Sequence, residues 1–561
     1  MKINKLIKNI SLVSSAIALP LLSMSCSILG EEDKNISQTK MPFKHYGKEY
    51  EVENQQISVY YKNGSDLPYV DVIEMIDKLD GFLKSNMIYY THKNFFTRKL
   101  ELFNNGTVMK IDHKKDEIYV NDLSFFNFVN EPTVTNYAKN INLEAYNIQN
   151  YSKRKGVEFD LDDYDLDILY FENKILLPLA VFNTMFCSPN FYSLYCNGKE
   201  VIGCEWYINE KNSSLYSSFA NSLYANKTPT KEYRKDVFNH MCFSFDYYYG
   251  LKKYKEINES FEDYFKEKRK DIYNNILSES VSDNNKGYTD FIYRDLDELH
   301  SWVNNLSFYN PESFRFNTPS NDSMRYSIVS EKYYDTHDTL EAYYKNATGS
   351  NDKQSLRTYK DMAVIKFDQF IVGPGKNLNS QNDTYTFISE SLKQLDPNKY
   401  NNIVIDLSLN GGGSVAAMIK TIGFMTDKLV PVKDYDTLSN VASSLYYSVN
   451  IPEHAKPFRN KSWSILTSFD TFSAANQLSA IVKEQQIAKI VGKKSSGGMC
   501  AIMPIVLVDG TTFIISSTNA AYVTKKPILY GQKSVQNGVP VDVNLEYKDF
   551  YNLDALYKAI K

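Results

Sequence analysis

A serine stands where a strand-like run gives way to helix-like sequence. Ser473 follows the apolar run SWSILT and precedes the segment AANQLSAIVKEQQ. A hydroxyl at such a turn can accept a hydrogen bond from an orphan backbone N–H and so cap the helix. It can also be a nucleophile, because the positive end of a helix stabilises the oxyanion that forms when a carbonyl is attacked. Both interpretations, helix cap and nucleophile, fit this local sequence.

Three consecutive glycines follow another strand of buried character. The segment VIDLSLN leads directly into Gly411, Gly412 and Gly413. Backbone N–H groups exposed by such a turn can hold a phosphate or a tetrahedral oxyanion. The turn lacks the Gly-Lys-Ser/Thr of a Walker loop and the glycine spacing of a dinucleotide fingerprint. The alternative interpretation is a tight turn that needs positive φ.

Alternating strand-like and helix-like segments position both turns. From Asp361 onward the predicted strands are MAVIKFDQFI, NNIVIDLSL, SWSILTS and IAKIVGK, and helical segments separate them. This alternation predicts a parallel or mixed sheet with crossover helices. In such sheets binding and catalytic sites form at the carboxyl ends of strands, which is where both turns fall. We therefore predict an α/β core over residues 361–561.

The rest of the chain divides by composition and pattern. Residues 43–215 are β-rich, and a recurring strand layout makes an internal duplication one interpretation. Residues 216–300 have helical apolar spacing. Residues 301–360 are polar and rich in Tyr and Asn, which predicts a loop-rich connection. The predicted fold class is a multidomain α+β protein with a β-rich N-terminal scaffold, a helical middle and a C-terminal α/β core.

The first residues have the pattern of a targeting segment. Basic MKINKLIKN precedes the apolar stretch ISLVSSAIALPLLSMS, which is too short and too broken for a membrane span, and then comes Cys26. An ordinary secretory signal is one interpretation. The arrangement also resembles the lipoprotein box of bacterial, mollicute-like lipoproteins. That resemblance implies a signal peptide over 1–25, a lipid on Cys26, a tether over 26–42, and a place on the extracellular face of the cell membrane.

Composition excludes other classes of function. The net charge of -4 argues against nucleic-acid binding driven by bulk charge. The remaining cysteines show no CxxC or Cys/His metal spacing, and we predict that they are buried structural thiols: Cys187, Cys196, Cys204, Cys242 and Cys500. We predict neither a metal nor a cofactor.

Taken together, the motifs resemble the tail-specific, or C-terminal-processing, serine peptidases and their tricorn-like relatives. The segment VIDLSLNGGGS resembles their Asp-Leu-Arg-x-Asn-x-Gly-Gly turn, and the segment from Ser473 to Asn476 resembles their Ser-Ala-x-Glu. Near the C-terminus, QNGVPVD from Gln536 resembles Glu-Asn-x-Gly-Val-x-Pro-Asp more loosely. Order and spacing agree over about 290–561. The resemblance implies a ClpP/crotonase-like core and a protein or peptide substrate.

The same resemblance implies roles for particular residues. Ser473 is the expected nucleophile. The backbone N–H groups of Ala474 and of Gly412 or Gly413 are the expected oxyanion hole. The processing branch places a catalytic lysine at a position that falls here on Gly498, which disfavours a Ser–Lys dyad.

Tricorn-like relatives use an upstream histidine, and YRDLDELHSWV supplies His300 at a comparable position. A pKa near neutrality suits an imidazole to take the serine proton and return it to the leaving amine. A histidine at a helix end is the alternative interpretation, with His240 and His337 as reserve candidates for the base. The third catalytic position, a glutamate in relatives, falls on Gln536, which can accept a hydrogen bond but cannot stabilise an imidazolium by charge.

Two functions follow from these residues. The first is a surface-anchored serine endopeptidase that forms an acyl-enzyme, with Ser473 as nucleophile and His300 as base. The second is a catalytically inactive homologue that acts as a surface binding protein or adhesin through its aromatic-rich N-terminal half. A homodimer is left open. An unrelated adhesin would leave Ser473, His300 and the glycine turn unexplained.

Overall fold

A computed structural model describes the architecture, for residues 33, 35–93, 98–153, 156–206, 213–311 and 328–561. The predicted signal peptide and the lipidation residue Cys26 lie outside these residues. The predicted fold class is confirmed. A β-rich N-terminal region is followed by helices and then by a C-terminal α/β region.

The N-terminal region is built mostly from short strands. Its helices are α1 (Val72–Lys78) and α2 (Leu179–Phe182). Its strands are β1 (Ile36–Tyr46), β2 (Gln55–Lys62), β3 (Tyr69–Asp71), β4 (Tyr89–Lys93), β5 (Lys99–Asn104), β6 (Thr107–Asp112), β7 (Glu117–Val120), β8 (Ile141–Asn150), β9 (Val157–Asp160), β10 (Leu169–Phe171), β11 (Lys174–Pro178), β12 (Tyr192–Cys196) and β13 (Val201–Glu205).

Two sheets organise most of these strands. One has seven strands in the order β10-β11-β3-β2-β1-β13-β12, and the other has five in the order β4-β5-β6-β7-β9. The β5–β6 hairpin turns at Asn105 and Gly106, whose φ values are 45° and 82°. Such positive φ values are those that an Asn-Gly hairpin turn requires.

The predicted tether over 26–42 is wrong for its last part. Residues from Ile36 onward form β1, which pairs antiparallel with β2 along the whole of that strand. Met41 and Phe43 are buried in the core of the seven-stranded sheet. The polar residues 37–40 that suggested a flexible linker are exposed in the first half of this paired strand.

The middle of the chain is helical. Its helices are α3 (Ser214–Ala220), α4 (Lys231–Tyr248), α5 (Phe261–Asp263), α6 (Lys270–Ile276) and α7 (Val281–Asp290). Helix α4 begins at Thr230, whose Oγ1 accepts the Tyr233 N–H at 3.1 Å. A hydroxyl at this position satisfies one of the donors that every helix start leaves open. The five cysteines at 187, 196, 204, 242 and 500 are free and buried, as predicted.

The C-terminal region supplies the remaining elements. The strands are β14 (Trp302–Asn305), β15 (Gln354–Tyr359), β16 (Met362–Phe367), β17 (Asn402–Asp406), β18 (Val430–Asp436), β19 (Val441–Val449), β20 (Ser462–Thr467), β21 (Ala488–Gly492), β22 (Cys500–Val506), β23 (Thr512–Ala521) and β24 (Val543–Asn544). The helices are α8 (Ile328–Thr348), α9 (Thr384–Lys393), α10 (Val415–Met425), α11 (Ala474–Glu484) and α12 (Leu553–Ile560).

A six-stranded sheet in the order β15-β16-β17-β20-β21-β24 forms the centre of this region. All neighbours pair in parallel except the edge strand β15. On one face, Val404 packs in a cluster with residues of α8 and α12, including Leu340 and Leu556. The alternate residue Ile405 belongs to the main core with α9, α10 and α11. The predicted α/β core is therefore a sheet covered by helices on both faces.

A second sheet joins the two ends of the chain. Its order is β14-β23-β18-β19-β8, and β22 pairs with β23. Strand β8 comes from the predicted N-terminal domain but pairs antiparallel with β19 of the C-terminal region. Strand β14 follows His300 directly, so the chain around that histidine is fixed by this sheet.

The prediction of a loop-rich connection over 301–360 is wrong. Its described residues contain β14, the long helix α8 and the edge strand β15. The apolar side chains of α8 are largely aromatic, such as Tyr344, which is 4 % exposed against the sheet. Tyrosine adds a polar atom to an apolar ring, which weakened the helical pattern in the sequence.

Within the described part of the chain, no helix has the length and apolar character needed to cross a membrane.

Candidate active site

Neighbouring parallel strands bring the serine turn and the glycine turn together. Asp406 at the end of β17 pairs with Leu466 near the end of β20, so the segments that follow leave the same edge of the sheet. Thr471 Oγ1 donates to the Leu407 carbonyl at 2.7 Å, and the Phe472 N–H donates to the Asn410 carbonyl at 3.1 Å. The sheet register thus fixes the residues before Ser473 against the residues before the glycines.

Ser473 has a backbone conformation that a side chain rarely adopts. Its φ is 54° and its ψ is -125°. Such a conformation costs of order 1–3 kcal/mol and persists only where the surroundings hold it. Two bonds hold it here: the Ser473 N–H donates to the Gly497 carbonyl at 2.9 Å, and the Ser473 carbonyl accepts the Gln477 N–H at 2.8 Å.

The Ser473 hydroxyl does not cap helix α11. Ser473 occupies the N-cap position, but its side chain makes no capping hydrogen bond. A capping serine has an extended backbone, as Ser414 has at the start of α10, where φ is -66°, ψ is 124° and Oγ accepts the Ala417 N–H. Ser473 instead has the geometry of a sharp strand–turn–helix elbow, which presents a hydroxyl at the edge of a sheet.

The glycine turn packs directly on Ser473. A Cβ built on Gly412 would lie 2.6 Å from Ser473 Cβ, which is closer than side chains approach one another. Gly412 has φ of 111° and Gly413 has φ of 124°, in the region that favours glycine. Phe370 pairs with Gly413 by donating its N–H to the Gly412 carbonyl at 2.8 Å. Glycine is therefore required at Gly412 both by its φ and by the approach of the serine.

Only some of the predicted oxyanion donors are available. The Gly412 N–H donates to Asn410 Oδ1 at 2.9 Å, so this amide is already used inside the turn. Among the described residues, the N–H groups of Gly413 and Ala474 have no acceptor. Of the two glycine amides that the sequence left open, the geometry therefore favours Gly413.

His300 lies beside the serine turn, on the ring of Phe472. The two ring centroids are 4.4 Å apart. The His300 N–H donates to Glu298 Oε2 at 2.7 Å, which fixes the loop before β14. Across the described residues, no hydrogen bond joins the imidazole to Ser473, and the buried Nδ1 has no partner. Burial lowers the pKa of His300 to about 3, so its ring is neutral at neutral pH.

His337, a reserve candidate in the sequence, contacts the same turn through Asp470. Its Nδ1 donates to Asp470 Oδ2 at 2.7 Å, and Nε2 lies 3.3 Å from Glu341 Oε1. Burial acts to lower the pKa of His337, but the hydrogen bond and negative charge of Asp470, with smaller effects of Glu341 and Asp368, raise it to about 9. The phenol of Tyr333 also bonds to Asp470. Asp470 was not singled out from the sequence, although it stands three residues before Ser473.

The other reserve candidate, His240, lies outside the serine turn. It is buried within α4, where Nε2 is 3.3 Å from Thr184 Oγ1. Burial lowers the pKa of His240 to about 4. Its neighbours belong to the helical region and to the segment after α2, so it serves the packing there.

Gln536 supports the loop around Gly497 rather than the imidazole. Its Oε1 accepts the Met499 N–H at 2.9 Å, and its carbonyl lies 1.9 Å from the place of a Cβ on Gly497. The position expected for a catalytic lysine, Gly498, has φ of 85°, and a Cβ there would lie 2.5 Å from Phe472 Cε2. The fold therefore leaves no room for a side chain at Gly498.

Asn476 stands where the resembling motif has a glutamate, and the structure gives it a structural task. Its Nδ2 donates to the Val535 carbonyl at 2.9 Å, and its Oδ1 accepts Ser495 Oγ at 2.7 Å. Ser495 Oγ in turn accepts the Val539 N–H at 2.7 Å. This network attaches the segment around Gln536 to α11.

Within the described ranges, no group of histidine, cysteine and acidic side chains is arranged to hold a metal ion.

Comparison with known proteins gives a family match over the part of the chain that contains Ser473. Residues 361–545 match the model of Peptidase family S41. This segment contains Ser473, the glycine turn and Gln536, but not His300. No curated protein matches the chain.

Solved structures with similarity to the chain include peptidases. The photosystem II D1 C-terminal processing protease is 16% identical, with 37% of this chain and 51% of that chain covered and a TM-score of 0.28. A lipoprotein from Streptococcus agalactiae is 15% identical over 52% of this chain and 88% of that chain, with a TM-score of 0.31. The tricorn protease is 12% identical over 84% of this chain and 45% of that chain, with a TM-score of 0.30. The chain thus spans about half the length of the processing protease.

Proposed function

We propose that this protein is a serine endopeptidase in which Ser473 attacks the substrate carbonyl. The observation that carries the proposal is the strained elbow at Ser473, whose hydroxyl is not used as a cap and which packs against Gly412. The family match over 361–545 supports a protein or peptide substrate. A helix cap alone would need neither the positive φ of Ser473 nor the adjacent glycine.

The proposed chemistry is acyl transfer. His300 accepts the proton of Ser473 as Oγ bonds to the carbonyl carbon, and the resulting oxyanion is held by the N–H groups of Gly413 and Ala474. The C–N bond then breaks as His300 gives the proton to the leaving amine, which leaves an acyl-enzyme. Water, deprotonated by the same imidazole, releases the acid and restores the hydroxyl.

A conformational step must precede this chemistry. In the structure, the Phe472 ring lies against the imidazole of His300, and among the described residues no hydrogen bond joins His300 to Ser473. We propose that a bound peptide displaces the Phe472 ring, so that the imidazole reaches the hydroxyl. Rearrangement of this kind on substrate binding is common in enzymes and often limits turnover.

A second candidate is a catalytically inactive relative that binds peptides or a surface partner. It is favoured by the buried Nδ1 of His300, which has no acceptor among the described residues. An orienting carboxylate at this atom is worth orders of magnitude in Ser-His-Asp peptidases. The two candidates differ in whether Ser473 reacts.

The test is covalent labelling of the purified full-length chain with a fluorophosphonate probe. We expect the native protein to label and Ser473→Ala to remain unlabelled. Ser496→Ala is the matched control, because Ser496 is a partly exposed serine of the adjacent loop, and it should label like the native protein. Absence of labelling in a folded native protein, with or without added peptide, would favour the inactive relative.

We also propose that the protein is anchored on the extracellular face of the cell membrane by a lipid on Cys26. The support is the basic and apolar sequence before this cysteine, together with the small residue Ser25. Metabolic labelling with an alkyne fatty acid should mark the native chain but not Cys26→Ala. Equal labelling of both chains would contradict the anchor.

A further inference from the structure

A small cleft lies between three parts of the chain, away from the residues assigned to catalysis. Its volume is about 100 Å³, and it is bounded by the loop before β8, the loop after β16, the start of α9 and the middle of α10. The polar side chains that line it are Asn136, Lys139, Asn140, Asp383, Thr386 and Lys420. A protein can leave such a space filled with water, or use it for a ligand.

Lys420 makes this cleft unusual. Its side chain is 3% exposed, on helix α10. Among the described residues, its ammonium has no hydrogen bond and no carboxylate within ion-pair distance. Burial lowers the pKa of Lys420, with the charge of Asp383 opposing this effect and that of Lys139 adding to it. The Lys420 ammonium is not one of the fully buried unpartnered atoms among the described residues, so it faces the space of the cleft, where an opposite charge would compensate it.

The carboxylate of Asp383 is committed to other donors. Asp383 Oδ1 accepts both the N–H and the hydroxyl of Thr386 at 2.8 Å, because this residue caps helix α9. Its Oδ2 accepts the Gly373 N–H at 3.4 Å. The two lysines and this one carboxylate leave the cleft with an excess of positive charge.

We propose that this cleft binds one small oxyanion between Lys420 and Lys139. A water molecule takes about 30 Å³ of liquid, so the cleft has room for about three waters or one anion of the size of phosphate, sulfate or acetate. Nucleotides and sugar phosphates are excluded, since pockets for ligands of that size have volumes of about 300 Å³ or more. The amides of Asn136 and Asn140 can donate to the anion at the rim.

The anion would connect segments that also hold the glycine turn. Lys420 lies on the helix that begins two residues after Gly413, and the loop after β16 contains Phe370, which pairs with Gly413. Lys139 belongs to the segment leading into β8, and the Gly375 N–H already donates to the Val134 carbonyl at 2.8 Å there. The bound anion therefore joins the N-terminal region to the α/β core. The proposal does not depend on peptidase activity.

The test is isothermal titration of the full-length chain with sodium phosphate at constant ionic strength, with sodium sulfate, acetate and chloride as separate arms. We expect one phosphate per chain for the native protein. Lys420→Met should weaken binding by about tenfold to a hundredfold, since a charged hydrogen bond is worth about 1.5–3 kcal/mol. Lys428→Met is the matched control, because Lys428 is exposed just after α10 and should leave affinity unchanged.

The arms of the titration separate the sources of the anion. Tighter binding of phosphate or sulfate than of acetate indicates an inorganic anion, and the reverse order indicates a small carboxylic acid. Lys420→Met should melt at or above the native temperature in anion-free buffer, because a charge without an ion-pair partner has been removed from a largely buried side chain. If that variant does not fold, Lys139→Gln, which changes an exposed side chain, should still weaken binding severalfold. The proposal fails if no oxyanion binds more tightly than chloride, or if neither lysine changes the affinity.

Discussion

Two histidines contact the turn before Ser473, through Phe472 and through Asp470, in different electrostatic surroundings. His300 packs on Phe472, and no charged side chain among the described residues pairs with its ring, so burial lowers its pKa to about 3. His337 is about one-third exposed and donates to buried Asp470; although burial opposes the change, this pair raises its pKa to about 9. At neutral pH the first ring is neutral and the second is cationic.

The protonation states of the two rings at neutral pH indicate which histidine can act as a base. Only a neutral imidazole can accept the proton of a serine. His337 is protonated at neutral pH, so it is poorly suited to act as the base. His337 instead stabilises the position of Asp470, and with it the segment that leads to the elbow. A weakly basic buried His300 is a better candidate, provided that substrate binding changes its surroundings and raises its pKa toward neutrality.

The largest expected effect separates the two histidines by reactivity. His300→Ala should slow fluorophosphonate labelling of Ser473 by about a hundredfold to ten-thousandfold, the range for loss of a general base. His337→Ala should slow it by less than about tenfold, since this residue acts through the position of the loop. The labelling rate of each purified variant, measured after circular dichroism has shown a native fold, is the readout. The reverse order of the two effects would make His337 the base.

The second prediction, of intermediate size, concerns how His300 and His337 make the stability of the protein depend on pH. The native pKa of His300 lies below the unfolded value of about 6.5, so its contribution is present above pH 6.5 and is lost as pH falls toward 3. The native pKa of His337 lies above that value, so its contribution is present below pH 6.5 and is lost as pH rises toward 9.

The measurement is the melting temperature of the native protein and of the two glutamine variants across this pH range. The difference between native protein and His300→Gln should change on the acid side, and the difference for His337→Gln on the alkaline side. Variants that change the opposite limbs would contradict the assigned surroundings of the two rings.

The smallest expected effect concerns the third catalytic position. Gln536→Glu restores the residue type of the resembling motif, but the side chain at this position faces the Met499 N–H and not an imidazole. We expect the labelling rate to change by less than about threefold, as for substitutions away from the reacting groups. Gln536→Ala is the control for loss of the Met499 contact. A tenfold gain from glutamate would show that this segment reaches His300 in the reactive state.

Much of the fold followed from local patterns in the sequence. The alternation of apolar strands and helices after Asp361 predicted the parallel sheet, because crossover connections require that order. The Asn105-Gly106 pair predicted its hairpin through the φ values it tolerates. The failures came where tertiary contacts overrule local composition. Strand β1 is a polar segment that a neighbouring strand orders, and helix α8 relies on tyrosines packed against the sheet.

Part of the candidate site could also be predicted from local patterns in the sequence. Ser473 and the glycines stand at strand ends, and neighbouring strands of a parallel sheet end at one edge. The sequence did not single out Asp470, because an aspartate in a polar turn is ordinarily exposed to solvent. Its partner His337 is 133 residues away in the chain, on a helix that was not predicted. The structural tasks of Asn410 and Asn476 were likewise not predicted, because their side-chain amides donate to the carbonyls of Phe367 and Val535, which are distant in the chain.

Local sequence patterns sufficed to predict the strands and helices around the two turns, and the placement of a serine and three glycines at strand ends, because such patterns depend on neighbours a few residues apart. Only the tertiary structure decided that Ser473 is an elbow rather than a cap. The distant contacts also give His300 and His337 pKa values on opposite sides of neutrality. These properties depend on burial and on partners distant in the chain, and no local pattern of residues specifies either.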